Sequence, residues 1–264
     1  MGKTLKNYFI SVKNKRLTTV AGAWVYYFIT ALLPISFLMI IAFGVFGVSL
    51  HSSIIKLLPT EFMEFGEVIF STAEKATGGV TIFFAFAVLF SGSHLLHQML
   101  KDGEYIYNAH NQKRSPIIKR MLSLLALSVL FLIFLGSAFI VAFQSAILRF
   151  LNIRKEVISS IVFFSALIVV GFFIVILLNM FVSPVKQKFN SLLIGSFLSL
   201  LIICIGTIGF TLYLRFFKPY NALYGSLASL IIFLIWAYIV MLGLVIGVSV
   251  NAVSYENLKN KNLD

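Results

Sequence analysis

The chain contains six long runs that are almost free of charged side chains, and this feature restricts its fold more than any other. A transmembrane helix needs about 20 apolar residues, because it rises 1.5 Å per residue and the hydrocarbon core is about 30 Å thick. The runs do not show the alternation that is typical of barrel strands. They therefore predict an all-α polytopic membrane protein, a bundle of six transmembrane helices over residues 19–50, 80–100, 117–148, 157–182, 189–214 and 221–252.

Composition supports the same interpretation. Apolar residues make up 60% of the chain and charged residues 11%, with a mean hydropathy of +1.00. A soluble domain carries roughly 25% charged residues, so an ordinary soluble enzyme is excluded. The single cysteine, Cys204, lies within an apolar run, which leaves no internal disulfide and no cysteine zinc motif.

Three segments are predicted to lie outside the spans. Residues 1–18 are basic, with apolar positions at helical spacing, and form an interfacial cytoplasmic segment rather than a cleaved signal. A short helix is expected on the outer face within residues 54–69. Residues 253–264 form a cytoplasmic tail.

The distribution of basic residues predicts the orientation. With the N-terminus inside, 14 of the 21 Lys and Arg residues fall on the cytoplasmic side, which is the side that such residues favour. Both termini should therefore be cytoplasmic. The net charge of +12 then reflects topology and contact with anionic lipid, so membrane lipids are the expected partners and nucleic acid is not.

Small residues form one face on each of the last two spans. Helices in lipid associate through small residues that permit close approach. The predicted packing positions are Gly195, Gly206 and Gly209 in the fifth span and Gly243 and Gly247 in the sixth. Plain bundle packing is the favoured explanation, and a sliding or opening interface is the alternative.

Uncharged polar residues are predicted to line a groove bordered by the first, fifth and sixth spans. The mid-membrane region has no carboxylate, which weighs against proton coupling and against a charged ion pore. An uncharged lining suits an amphiphile better than an inorganic ion. The predicted groove residues are Tyr26, Thr30, Pro34, Tyr213, Tyr224, Gly225, Ser226 and Trp236.

One cluster of metal-binding residue types stands out. His94 and His97 are three residues apart, and Asp102, Glu104 and His110 follow them. Such a set can hold a divalent metal, but ordinary hydrogen bonds near the membrane interface are the favoured interpretation. No phosphate-binding loop, H-E-x-x-H or G-x-S-x-G motif occurs. We therefore expect no metal, no cofactor and no catalytic residue.

Two spans resemble a known family. The first, AGAWVYYFITALLPISFLMI, combines small and tyrosine residues with a proline in the same helix. The last, YNALYGSLASLIIFLIWAYIVMLGLVIGVSVNA, has a Tyr-Gly-small motif, a Trp-x-Tyr and a glycine-rich end that finishes in Asn-Ala. Both resemble the YihY/BrkB family of bacterial inner-membrane proteins. The matching positions are Tyr220, Tyr224, Gly225, Ser226, Trp236, Tyr238, Gly243, Gly247 and Asn251, with Pro184 and Gly195 between the two spans. The chain departs from the family pattern at Gly22-Ala23-Trp24, at Phe90 and in KDGEYIYN.

The resemblance implies six helices in the bacterial inner membrane with both termini inside. Members of the family once carried a ribonuclease label. We reject it for this chain, because phosphodiester hydrolysis generally needs clustered carboxylates that hold metal ions, and the chain has only nine acidic residues, four of them on the predicted outer-face loop. Family associations with envelope lipids favour a transporter or flippase-like protein for a lipid or other amphiphile. A scaffold or accessory subunit that binds other membrane proteins, or a second copy of itself, is the alternative, and an enzyme is the least favoured class.

Overall fold

The described part of the chain is a bundle of six long helices. The structure, a computed structural model, describes residues 16–45, 67, 71, 78–109, 115–143, 156–187, 189–216 and 226–261. Each helix is long and apolar enough to cross a membrane. The helices are α1 (Leu17–Val45), α2 (Gly78–Ile106), α3 (Pro116–Ala142), α4 (Glu156–Val182), α5 (Phe189–Phe216) and α6 (Ser226–Lys261). The predicted all-α class with six spans is confirmed.

The helix boundaries differ from the predicted spans where charged residues continue a helix. Helix α2 runs on to Ile106 through Lys101, Asp102 and Glu104, and α6 runs on to Lys261. Hydropathy marks the hydrocarbon limits, whereas backbone hydrogen bonds carry a helix into the interface. The predicted surface helices at residues 1–18 and 54–69 lie almost entirely outside the described residues.

Local sequence explains how α3 begins. Ser115 is extended, and its hydroxyl accepts a hydrogen bond from the Ile118 backbone N–H at 3.3 Å. Pro116 follows at the first helical position, where its missing N–H costs nothing. In α1, by contrast, Pro34 lies inside the helix and removes the bond that the Thr30 carbonyl would accept.

The helices are arranged around α6. It contacts α1, α2, α4 and α5, with its most extensive contact to α5. Helix α1 packs mainly on α2, and α3 packs on α2 and α4. Helix α3 is also the span with the smallest buried share, so it lies at the edge of the bundle.

Neighbouring helices along the chain run antiparallel. Trp24 near the start of α1 meets Asp102 near the end of α2, whereas Phe37 stacks on Phe84 at a centroid distance of 4.3 Å. The starts of α1, α3 and α5 therefore lie at the same end of the bundle as the ends of α2, α4 and α6. We call this the terminal end, and the fully buried Trp24, Met99, Val182 and Val248 all belong to it.

Candidate functional site

The predicted groove residues of α1 lie on the outer surface of the bundle. The Tyr26 side chain is 65% exposed, and Gly22 and Thr30, four residues to either side, are exposed as well. The Thr30 hydroxyl donates to the Tyr27 carbonyl at 2.9 Å, and the Tyr26 ring packs edge-on against Tyr27. Helix α1 thus presents an uncharged polar stripe outwards, with Pro34 partly buried at its end.

The remaining groove residues belong to the opposite end of α5 and α6. The Trp236 indole N–H donates to the Thr207 hydroxyl at 3.3 Å, beside a small cluster of Phe210, Leu214 and Ile232. Tyr213 is 40% exposed. Ser226 begins α6, and Tyr224 and Gly225 lie outside the described residues. The predicted groove residues therefore fall into two separate groups. One is the outward-facing polar stripe of Gly22, Tyr26 and Thr30, which we call the α1 stripe, and the other is the cluster around Trp236.

One face of α6 between α1 and α5 is open. Ile231 and Ile235 are exposed, and Tyr238, Leu242 and Ile246 are partly exposed. These positions recur every three or four residues, so they share one side of the helix. The α5-facing side holds Trp236 and Gly247, and the core-facing side holds Ala237 and Val245. The open face is apolar except for the tyrosine.

Four of the five glycines predicted for helix packing lie in close contacts between α5 and α6. A Cβ on Gly195 would overlap the Asn251 side chain, and one on Gly247 would overlap the Ser199 hydroxyl. A Cβ on Gly206 would overlap Ile239, and one on Gly243 would come within 2.9 Å of Ile203. Because these four glycines have no side chain, α5 and α6 can approach each other closely at these positions.

The fifth glycine is different. A Cβ on Gly209 would meet nothing within 4 Å, and the residue is exposed. Its spacing is close to that of the packing face, but the residues of α5 that contact α6 at this level are Phe210 and Leu214, which lie on a different side of the helix from Gly209. Gly103 in α2, which the sequence analysis did not single out, does lie in a close contact, because a Cβ there would overlap the Val182 carbonyl at the end of α4.

Two buried asparagines join α4, α5 and α6 at the terminal end. The Asn251 side-chain oxygen accepts from the Gly195 backbone N–H at 2.9 Å, and its amide donates to the Asn179 side-chain oxygen at 3.0 Å. The Asn179 amide donates to the Val175 carbonyl at 2.9 Å. Burial of these amide groups without hydrogen-bond partners would be costly in free energy. The hydrogen bonds that supply the partners also join three helices.

A carboxylate joins α1 to α2. The Trp24 indole N–H donates to one Asp102 oxygen at 2.7 Å, and the Gln98 amide donates to the other at 3.0 Å. Trp24 is 1% exposed, so its N–H needs a partner from the protein.

A buried ion pair joins α2 to α3. The Lys119 ammonium donates to a Glu104 oxygen at 2.7 Å, and the two side chains are 10% and 9% exposed. Burial of either charge alone would be costly, so each residue makes the other tolerable. The pair explains why a lysine lies inside a predicted span. Its sequence signal is an acid at the end of one helix and a base at the start of the next.

The segment after α2 contains a buried tyrosine. Burial raises the pKa of Tyr107 to about 12, although the nearby polar side chains of Ser183 and Gln187 act in the opposite direction. Its phenol is therefore neutral at any physiological pH.

The histidine pair does not assemble a metal site within the described residues. His94 stacks on Tyr27 at a centroid distance of 6.3 Å and meets Phe90 edge-on. The buried Nδ1 atom of His97 has no hydrogen-bond partner in the described part of the chain. Among those residues no group of three or more His, Cys, Asp or Glu side chains could hold a metal ion, and His110 lies outside them.

These features define a class: a multi-pass helical membrane protein whose described residues are tightly packed and joined by buried polar contacts at the terminal end. The model of the family described as Virulence factor BrkB matches residues 9–264, so the chain belongs to that family. The predicted resemblance is confirmed.

Relatives extend the comparison. A UPF0761 membrane protein of Photobacterium profundum is 26% identical over 265 residues, which cover 91% of this chain and 77% of the relative. A UPF0761 membrane protein of Coxiella burnetii is 33% identical over 75 residues, or 27% of each chain. No solved structure matches the chain.

Proposed function

We propose that this protein resides in the bacterial inner membrane with both termini cytoplasmic and moves or accommodates a lipid or other amphiphile between leaflets. It acts without catalysis, and its partners are membrane lipids rather than nucleic acid. The observation that carries the proposal is the outward-facing polar stripe of Gly22, Tyr26 and Thr30 on α1.

The depth of this stripe supports an amphiphilic partner. Tyr26 lies five residues before the middle of α1, which places it about 8 Å from the helix midpoint and within the hydrocarbon. A hydroxyl at that depth has no water to bond, so a passing polar headgroup would gain a partner there. The stripe carries no charge, whereas a pathway for inorganic ions usually presents ionisable or closely spaced carbonyl groups.

The position of the charged groups supports the same function. Among the described residues, Asp102, Glu104 and Lys119 are held in contacts at the terminal end. None of the three is on the outward stripe of α1. A headgroup that moves along this stripe therefore meets hydroxyls and apolar atoms rather than fixed charges.

One observation favours the scaffold alternative. A Cβ on Gly22 would meet nothing within 4 Å, so the start of α1 leaves room for a partner helix to approach closely. A second membrane protein, or a second copy of this one, could cover the same stripe. The scaffold hypothesis predicts a stoichiometric partner that is lost when Gly22 is changed to Leu.

Reconstitution in liposomes tests the main proposal. Vesicles with fluorescent phospholipid are treated with an impermeant quencher, and loss of inner-leaflet protection is followed with and without protein. We expect the protein to accelerate this loss, and the double variant Tyr26→Phe, Thr30→Val to slow it about thirtyfold, because each of the two lost hydrogen bonds contributes about 1 kcal/mol in a membrane.

Ser128→Ala is the matched control, because Ser128 is exposed on α3 and its hydroxyl donates to a carbonyl of its own helix, as that of Thr30 does. This variant should move lipid at the unchanged rate. A wild-type rate equal to that of empty vesicles would refute lipid movement. A full rate in the α1 variant would exclude the stripe as the route.

A further inference from the structure

A second polar feature lies on the lipid-facing side of α2 near the terminal end. Lys101 is exposed and His97 partly exposed, four residues apart and therefore on one side of the helix. Arg120 of α3 is partly exposed and close enough to act electrostatically on His97, as Lys101 is too. Two helices thus bring two cations and an imidazole to one seam.

The acidic residues nearby are engaged elsewhere. Glu104 pairs with Lys119, and Asp102 accepts from Trp24 and Gln98 on the side of α2 that meets α1. Within the described ranges neither Lys101 nor Arg120 forms an ion pair. Lys101 does act electrostatically on the neighbouring Asp102, but among the described residues no carboxylate lies within ion-pair distance of either cation, so both remain available to an anionic ligand.

The two cations lie at the depth of lipid headgroups. Lys101 and Arg120 are each nine residues from the middle of their helix, which is about 13 Å along the axis. Half the hydrocarbon thickness is about 15 Å. Their side chains therefore reach the phosphate layer, and a soluble anion would have to enter the bilayer edge to meet them.

An apolar track continues from the cations toward the bilayer centre. Phe83, Phe86 and Phe90 are 66%, 69% and 65% exposed on α2, at spacings that place them on the same side as His97 and Lys101. On α3 the side chains of Leu124 and Leu125 are exposed as well. A molecule held by its phosphate at the seam can lay an acyl chain over these rings.

We propose that Lys101 and Arg120, with His97 between them, form a binding site for the headgroup of an anionic phospholipid whose acyl chain lies along the α2 phenylalanines. Charge complementarity selects an anionic lipid over a zwitterionic one. The depth and the apolar track select a lipid over a free phosphate. This site does not depend on the α1 stripe and exists whether or not the protein moves lipid.

Lipid titration of the purified full chain tests the site. The protein is delipidated in a neutral detergent, and binding of dioleoyl-phosphatidylglycerol, dioleoyl-phosphatidylcholine and glycerol phosphate is measured by native mass spectrometry. We expect the phosphatidylglycerol to bind at least about tenfold more tightly than either of the others. The double variant Lys101→Gln, Arg120→Gln should bind it about thirtyfold more weakly, since each basic side chain at an anionic surface contributes about a factor of five.

The matched control is Lys186→Gln with Lys259→Gln, which removes two exposed basic side chains at the same end of the bundle. This control should bind phosphatidylglycerol within about twofold of the wild type. The swap Lys101→Arg with Arg120→Lys keeps the charge and should retain binding, which separates loss of the site from loss of folding.

Three results would overturn the site. Equal weakening in the two double variants would show that binding depends only on overall charge. Unchanged binding in the Lys101 and Arg120 variant would remove these residues from it. Competition by glycerol phosphate at the concentration at which phosphatidylglycerol binds would assign the site to a free phosphate.

Discussion

Single residues explain how charge is tolerated inside this bundle. Lys119 interrupts a predicted span, and the sequence alone offers no reason for it. The contact with Glu104 supplies the reason, because the two charges are removed from solvent together. Trp24 and Asp102 act likewise across α1 and α2. In each case a contact between two helices offsets the free energy that burial of the charged group would otherwise cost.

The ion pair leads to a prediction about stability. Lys119→Met should destabilise the protein by about 3 kcal/mol, because it leaves the Glu104 carboxylate buried without its cation. The double variant Lys119→Met, Glu104→Leu should lie within about 1 kcal/mol of the wild type, since no charge remains to be buried. Unfolding in a detergent series measures both values. A double variant as unstable as the single one would show that the pair itself stabilises the fold.

Individual helices differ in how far spacing predicts their packing. The small-residue faces of α5 and α6 predicted a close contact, and Gly195, Gly206, Gly243 and Gly247 lie in one. Gly209 has the same spacing but an open surrounding. Farther along α5, Phe210 and Leu214 contact α6 instead, so the side of α5 that faces α6 changes along the helix and spacing alone does not show where it changes.

The glycines allow a paired test at this scale. Gly247→Ala should destabilise the contact between α5 and α6 by about 2 kcal/mol, because the new methyl group overlaps the Ser199 hydroxyl and the Gly195 carbonyl. Gly209→Ala should be neutral or slightly stabilising, since alanine favours a helix and meets no neighbour. Thermal unfolding in detergent compares the two. Similar melting temperatures would mean that α5 and α6 shift apart without cost.

At the scale of the whole bundle, the described residues are polar and tightly packed at the terminal end. The buried network of Asn179 and Asn251, the ion pair and the Asp102 contact all lie at the terminal end. The middle of the bundle and its opposite end present mainly apolar side chains outwards among the described residues. The described hydrogen bonds and the ion pair that join α1 to α2, α2 to α3, and α4 and α5 to α6 are thus concentrated at the terminal end.

The orientation of the molecule in the membrane is testable by reporter fusion. With the basic residues of the terminal end on the cytoplasmic side, alkaline phosphatase fused after Asp264 should be inactive and a fluorescent protein there should be bright. Alkaline phosphatase fused after Phe143, beyond the other end of α3, should be active. The reverse pattern at both positions would invert the proposed topology.

The amino-acid sequence by itself determined the class, the number of spans and the family, because hydropathy and helical hydrogen bonding are local properties of each segment. Nothing in the sequence indicates that Trp24 in the first span pairs with the segment that follows the second. Only the tertiary structure decided that Trp24 meets Asp102, that Lys119 meets Glu104 and that Gly209 lies free of α6. Such contacts join residues far apart in the chain, and they depend on helix rotation and axial register, which no single segment specifies.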